Sequence, residues 1–104
     1  MENYNIIIED AVYDDLDNIF DYISNELKEP FTAESICDSI EIAISSLKQL
    51  PLRHPIVEDE PHKSRGIRKM PVKNYTIFYI ADEKSNNVHI LNVMYNRRNW
   101  QMLI

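Results

Sequence analysis

A chain of 104 residues with 44% apolar and 27% charged side chains has room for one modest hydrophobic core and none for a second domain, and its formal charge of −6 argues against general affinity for bare nucleic acid. No apolar run approaches the roughly 18 residues of a membrane span. The N-terminus MENYNIII lacks the basic start and small-residue cleavage site of a signal peptide, and a lone cysteine, Cys37, excludes an internal disulfide. The expectation is a single domain over residues 1–104 in the cytoplasm.

The net charge conceals an asymmetry. Residues 1–60 hold 15 Asp and Glu against 3 Lys and Arg, a balance of −12, whereas residues 61–104 hold 2 against 8, a balance of +6. Such a split reads as one acidic and one basic face, or as an uneven solvated surface.

In chain order, Tyr4 to Glu9 (YNIIIE) predicts a strand, because three β-branched isoleucines suit a pleated sheet. Apolar residues on both faces suggest an internal strand or one covered on both sides. From Asp10 to Lys28 the residues Val12, Leu16, Ile19, Phe20, Ile23 and Leu27 recur at helical spacing, with Asp10 as the expected cap and Pro30 as the stop. A second helix is predicted from Thr32, its expected cap, to Leu50. Its stripe is Ala33, Ile36, Ile40, Ala43, Ile44 and Leu47, and Pro51 ends it. The short link makes the pair an antiparallel hairpin.

Leu52 to Ser64 is the main loop, with Pro55 and Pro61 opposing regular structure and Glu58, Asp59 and Glu60 forming an acidic cluster. Next comes a strand over Gly66–Val72, placed at an edge or bulge by Pro71. Lys73-Asn74 makes a tight turn in which Asn74 is suited to positive φ. Tyr75–Ala81 is apolar on both faces and reads as the central strand. Asp82–Asn87 is a polar turn, Val88–Tyr95 the last strand, and Asn96–Ile104 a tail. The order β-α-α-β-β-β predicts an α+β fold in which the helical hairpin covers a mainly antiparallel four-stranded sheet.

Most chemistries lack their residues. There is no phosphate-binding glycine loop and no nucleophile elbow, and His54, His62 and His89 have no metal-ligand spacing, so no metal or cofactor is expected. What remains is a basic and aromatic set: Lys63, Arg65, Arg68, Lys69, Lys73, Tyr95, Arg97, Arg98 and Trp100. Arginine suits phosphate through bidentate contacts, and Tyr or Trp can stack on bases. These cations can equally pair with the acidic helices. Antiparallel topology separates them, with Arg65 and Arg68 at one end of the meander and Arg97 and Arg98 at the other, beside Lys73.

The segment IRKMPVKNYTIFYIAD followed by VHILNVMYNRRNW resembles the RelE/ParE superfamily of type II toxin–antitoxin toxins, of the plasmid stabilisation type. The shared pattern is an Arg-containing strand, an N-Y-x-I-F-Y central strand and a closing R-R segment, and the element order agrees over nearly the whole chain. The resemblance implies a bacterial growth inhibitor neutralised by a cognate antitoxin, which is expected to lay an amphipathic helix or strand over apolar surface of the hairpin or sheet. One branch of the superfamily cleaves messenger RNA on the ribosome without a metal, and another inhibits DNA gyrase. The ribonuclease branch usually carries an arginine just before the turn between the second and third strands, where this chain has Pro71 and Val72. It also has a later tyrosine or histidine-tyrosine pair, which is absent here.

The resemblance therefore points to the ParE branch, with Arg65, Arg68, Lys73, Tyr95, Arg97, Arg98 and Trp100 as the target-binding set. The alternatives are a RelE-like endoribonuclease and a degenerate member that binds only its antitoxin. In the ribonuclease case Arg68 and Arg98 would stabilise the phosphorane and Lys69 would be the base.

Overall fold

The computed structural model describes residues 3–96 of the chain. Its elements are β1 (Asn5–Ile8), α1 (Asp10–Asp21), a π-helical turn (Tyr22–Glu26), α2 (Pro30–Ser46), a 3-10 turn (Pro51–Arg53), β2 (Ile67–Val72), β3 (Tyr75–Asp82) and β4 (Asn87–Tyr95). The four strands form one sheet in the order β1-β4-β3-β2. β2, β3 and β4 are an antiparallel meander, and β1 lies parallel to β4, with Ile7 beside His89. The expected α+β architecture is thus present, with a sheet that is mostly antiparallel and has one parallel pair.

The helical hairpin covers one face of this sheet. Val12, Ile23, Ala33, Ile40, Ile44 and Leu47 meet Met70, Tyr75, Ile77, Tyr79, Val88, Ile90 and Val93 in the main core. Full burial of each such aliphatic side chain contributes roughly 1.5–3 kcal/mol before conformational entropy is subtracted. A smaller cluster of Val57, Ile67, Phe78 and Met94, flanked by Ile80 and Leu91, lies on the opposite face. Val57 reaches it from the main loop, whose segment Pro55–Val57 bonds along β2: the Val57 N–H donates to Ile67 O at 2.9 Å and the Lys69 N–H to Pro55 O at 3.1 Å.

Several expectations are corrected by local geometry. β1 is an edge strand, not an internal one, and Ile7 on its outer face is 38% exposed. Glu9, not Asp10, occupies the first cap position, and α2 begins at Pro30 rather than at Thr32. Proline fits the first helical turn as well as it ends a preceding helix, because its missing N–H has no intrahelical partner there. The end of the first helix is set instead by the π turn, in which the Leu27 N–H bonds to Tyr22 O at 3.1 Å, and by Lys28 in the left-handed region at φ 56°. This looser winding breaks the 3.6-residue period, and Leu27, expected in the stripe, is 52% exposed. α2 likewise closes earlier than Leu50, whose own φ is 51°. In the β2–β3 turn Lys73, not Asn74, takes positive φ, at 57°.

One irregularity shapes the far end of the sheet. Tyr79 pairs with Ile90 but Phe78 pairs with Asn92, so Leu91 is an extra residue in β4. Such a bulge bends its strand and redirects the side chains beyond it. Here those are Met94, Tyr95 and Asn96.

Candidate functional site

The sheet face away from the hairpin carries a small cleft of about 170 Å³, lined by Lys69, Thr76, Phe78, Met94, Tyr95 and Asn96. Strand alternation assembles it. Lys69 and Phe78 are cross-strand partners, as are Thr76 and Met94, so all four point to one side. The Thr76 hydroxyl bonds to Asn96 Oδ1 at 2.7 Å and ties the end of β4 to β3. Asn96 is further held by its N–H, which donates to Asn74 O at 2.9 Å. Phe78 and Met94 form an apolar floor, with the exposed Lys69 at the rim and Tyr95 bordering the cleft at the end of β4.

Tyr95 borders the cleft, but it pairs with Tyr75 of the hairpin-side core and its ring turns to that face, so register brings Lys69 to the cleft without Tyr95. Arg68 is not brought there either. Adjacent strand residues face opposite ways, and the half-buried Arg68 guanidinium donates to the carbonyls of His54 at 2.6 Å and Leu52 at 3.2 Å. There it pins the segment leading into the main loop. Next to it, Tyr79 donates its hydroxyl to Pro51 O at 2.5 Å, and burial pushes its pKa up to about 12 against the opposing pull of the Arg68 and Arg53 charges. Burial lowers the pKa of His54 in the same cluster, and the Arg53 charge adds to that effect.

Arg65 is exposed in the turn before β2, and Lys73 is exposed at the β2–β3 turn. The two lie at opposite ends of β2. Arg97, Arg98 and Trp100 fall outside the described residues. His89 lies 3.5 Å from Glu9 across the β1–β4 edge. Among the described residues, the cations of the meander make no such close contact with the acids of the helices. No three His, Cys, Asp or Glu side chains cluster as metal ligands there either.

A second, larger concavity of about 670 Å³ runs between the hairpin and the β3–β4 end of the sheet. Ile19, Tyr22, Ile23, Leu27, Ile36 and Val93 supply its apolar wall, and Asp15 lies at its edge. Met94 and Tyr95 line both this groove and the cleft. The Tyr95 ring stands edge-on to Tyr75 at 5.6 Å, and burial, with Tyr95 adding to it, raises the Tyr75 pKa. Residue patterning points to Lys69 and Tyr95. Thr76, Asn96 and the groove are missed by it, because they depend on strand register and on the π turn.

These features define a small two-layer α+β protein with a cationic cleft on its open sheet face and an apolar groove beside its helices. The chain belongs to the family described as the ParE toxin of the type II toxin–antitoxin system parDE, whose profile matches residues 6–100. No curated protein matches the sequence. Solved structures share the fold. The chromosomal ParDE system from Pseudomonas aeruginosa superposes with a TM-score of 0.71 at 18% identity, covering 88% of this chain and 95% of that one. The RelBE2 toxin–antitoxin complex from Mycobacterium tuberculosis gives 0.62 at 20% identity, covering 89% and 98%. A free-state mutant of Escherichia coli RelE gives 0.60 at 8% identity, covering 91% and 85%. No described helix is long and apolar enough to cross a membrane.

Proposed function

We propose that this ParE-family toxin arrests growth by binding DNA gyrase and is neutralised by a cognate antitoxin. The observation that carries this reading is the match of residues 6–100 to the ParE family. The residue pattern agrees with it. Pro71 and Val72 stand where the ribonuclease branch carries an arginine, and Arg68 is committed to the Leu52 and His54 carbonyls. Arg65, Lys73 and Tyr95, together with the tail residues Arg97, Arg98 and Trp100, form the target-binding set, from which the carbonyl bonds of Arg68 withdraw it. An acidic chain with locally basic elements suits a protein surface better than bare RNA.

The antitoxin is assigned to the apolar groove beside the hairpin. α1 carries Asp10, Asp14, Asp15, Asp17 and Asp21 with no basic residue, so the fitting partner is an amphipathic segment with basic residues flanking its apolar face.

One observation favours ribonuclease chemistry as the second reading: Lys69 and Thr76 share a cleft on the open face, with Tyr95 at its border. Regulated expression in bacteria, with growth, plasmid supercoiling and messenger ends read together, separates the two. Loss of gyrase-dependent supercoiling with intact messengers is expected. New messenger ends with normal supercoiling support the ribonuclease reading, and normal growth supports a degenerate member.

A further inference from the structure

The two edges of the sheet are treated differently. An open edge presents unpaired N–H and C=O groups, and proteins normally blunt it with proline, charge or a covering segment. The β2 edge has all three: Pro71 within the strand, Arg68 and Lys69 along it, and Pro55–Val57 bonded to its outer side. β1 has none. Asn5–Ile8 is uncharged and contains no proline.

The direction of its backbone groups is set by the ladder. The N–H groups of Asn5 and Glu9 donate to Asn86 O at 2.9 Å and Ile90 O at 3.0 Å, so odd-numbered residues face β4. Even-numbered residues face outward. Of these, Tyr4 is satisfied, because its N–H donates to Lys48 O at 2.7 Å. The outward groups of Ile6 and Ile8 have no backbone partner among the described residues. Beside them runs an open groove of about 800 Å³, between β1 and the end of α2 at Ser45, Ser46, Lys48 and Gln49.

We infer that this edge is occupied by a second copy of the chain, β1 against β1 in antiparallel order about a two-fold axis at Ile7. The edge is self-complementary in that register. Ile6 of one copy and Ile8 of the other exchange both backbone bonds, and the symmetric pair does the same, giving four hydrogen bonds. Ile7 meets Ile7 of the second copy as the closely spaced non-hydrogen-bonded pair, and each covers the other's exposed side chain. Asn5 lies opposite Glu9, so no like charges are opposed. Tyr4 lies opposite Asp10, which brings the Lys48 at Tyr4 toward a carboxylate of the other copy. The product is a continuous eight-stranded sheet that leaves the cleft and the hairpin groove of each copy open.

The test is sedimentation equilibrium of the whole chain together with cysteine cross-linking. The wild type is expected to show twice the mass of one chain. Ile7→Glu places two carboxylates at the axis and is expected to give one chain mass with unchanged circular dichroism, because Ile7 lies outside the core. In a Cys37→Ser background, Ile7→Cys is expected to form a disulfide-linked dimer on mild oxidation. The roughly 4.5 Å Cα separation of a non-hydrogen-bonded pair lies within disulfide range. Asn5→Cys, opposite Glu9, is expected to remain mostly a single chain. A monomeric wild type, a dimer indifferent to Ile7→Glu, or equal cross-linking at both positions overturns the inference.

Discussion

Asp15 of α1 accepts the backbone N–H of Val93 at 2.9 Å, just past the bulge in β4, and the same carboxylate oxygen lies 3.4 Å from the Asn92 side-chain amide. A bulge leaves ladder groups unpaired. Here a helix side chain satisfies one of them and ties the hairpin to the strand that carries Met94 and Tyr95. Asp15→Ala is therefore expected to lower stability by about 1–3 kcal/mol, the cost of an orphaned buried donor. Asp14→Ala on the exposed face is expected to stay within about 0.5 kcal/mol. Urea denaturation of the two variants checks the difference.

Arg68 and Lys69 are neighbours in sequence with separate roles in the fold. Arg68→Ala removes the donor to two carbonyls and is expected to cost about 1–3 kcal/mol. Lys69→Ala is expected to leave the melting temperature unchanged and to weaken growth inhibition if the cleft contacts the target. Thermal unfolding measured beside a growth assay separates the two effects.

Much of this arrangement is legible in residue order. β3 and β4 fall within one residue of their expected bounds, because alternation and β-branched composition mark them. The α2 stripe also packs as its spacing predicts. The edge position of β1 is hidden, since three isoleucines read alike whether one or both faces are covered. The bulge at Leu91 has no glycine or proline to announce it. Burial of Val57 and His62 within an otherwise polar loop depends on that loop folding back along β2, which local composition does not encode. The site is legible only in part: residue type singles out Lys69, Arg68 and Tyr95 alike, but register decides that Arg68 and Tyr95 face away from Lys69.

Phe78 is 2% exposed on the open face of the sheet. Phe78→Ala is expected to cost about 3–5 kcal/mol, as large-to-small core changes do. An unchanged melting temperature contradicts its place in the smaller core.

Tyr79 gives the fold an alkaline limit. Its pKa is raised from 10.0 to about 12, so the folded state holds the phenol proton more tightly than the unfolded chain does. The associated stability is complete below pH 10 and is lost as pH rises from 10 through about 12. Tyr79→Phe removes the donor to Pro51 O and is expected to cost about 1 kcal/mol at neutral pH, with a shallower loss of stability above about pH 10. Urea midpoints at about pH 8 and about pH 11 for both proteins measure the slope.

The target is decided most directly by a supercoiling assay with purified DNA gyrase, relaxed plasmid and the toxin, run beside an Arg98→Ala variant. Gyrase binding predicts that the toxin blocks supercoiling and that Arg98→Ala restores it. Undiminished supercoiling at saturating toxin, with ribosome-bound messenger cut by the same preparation, contradicts it.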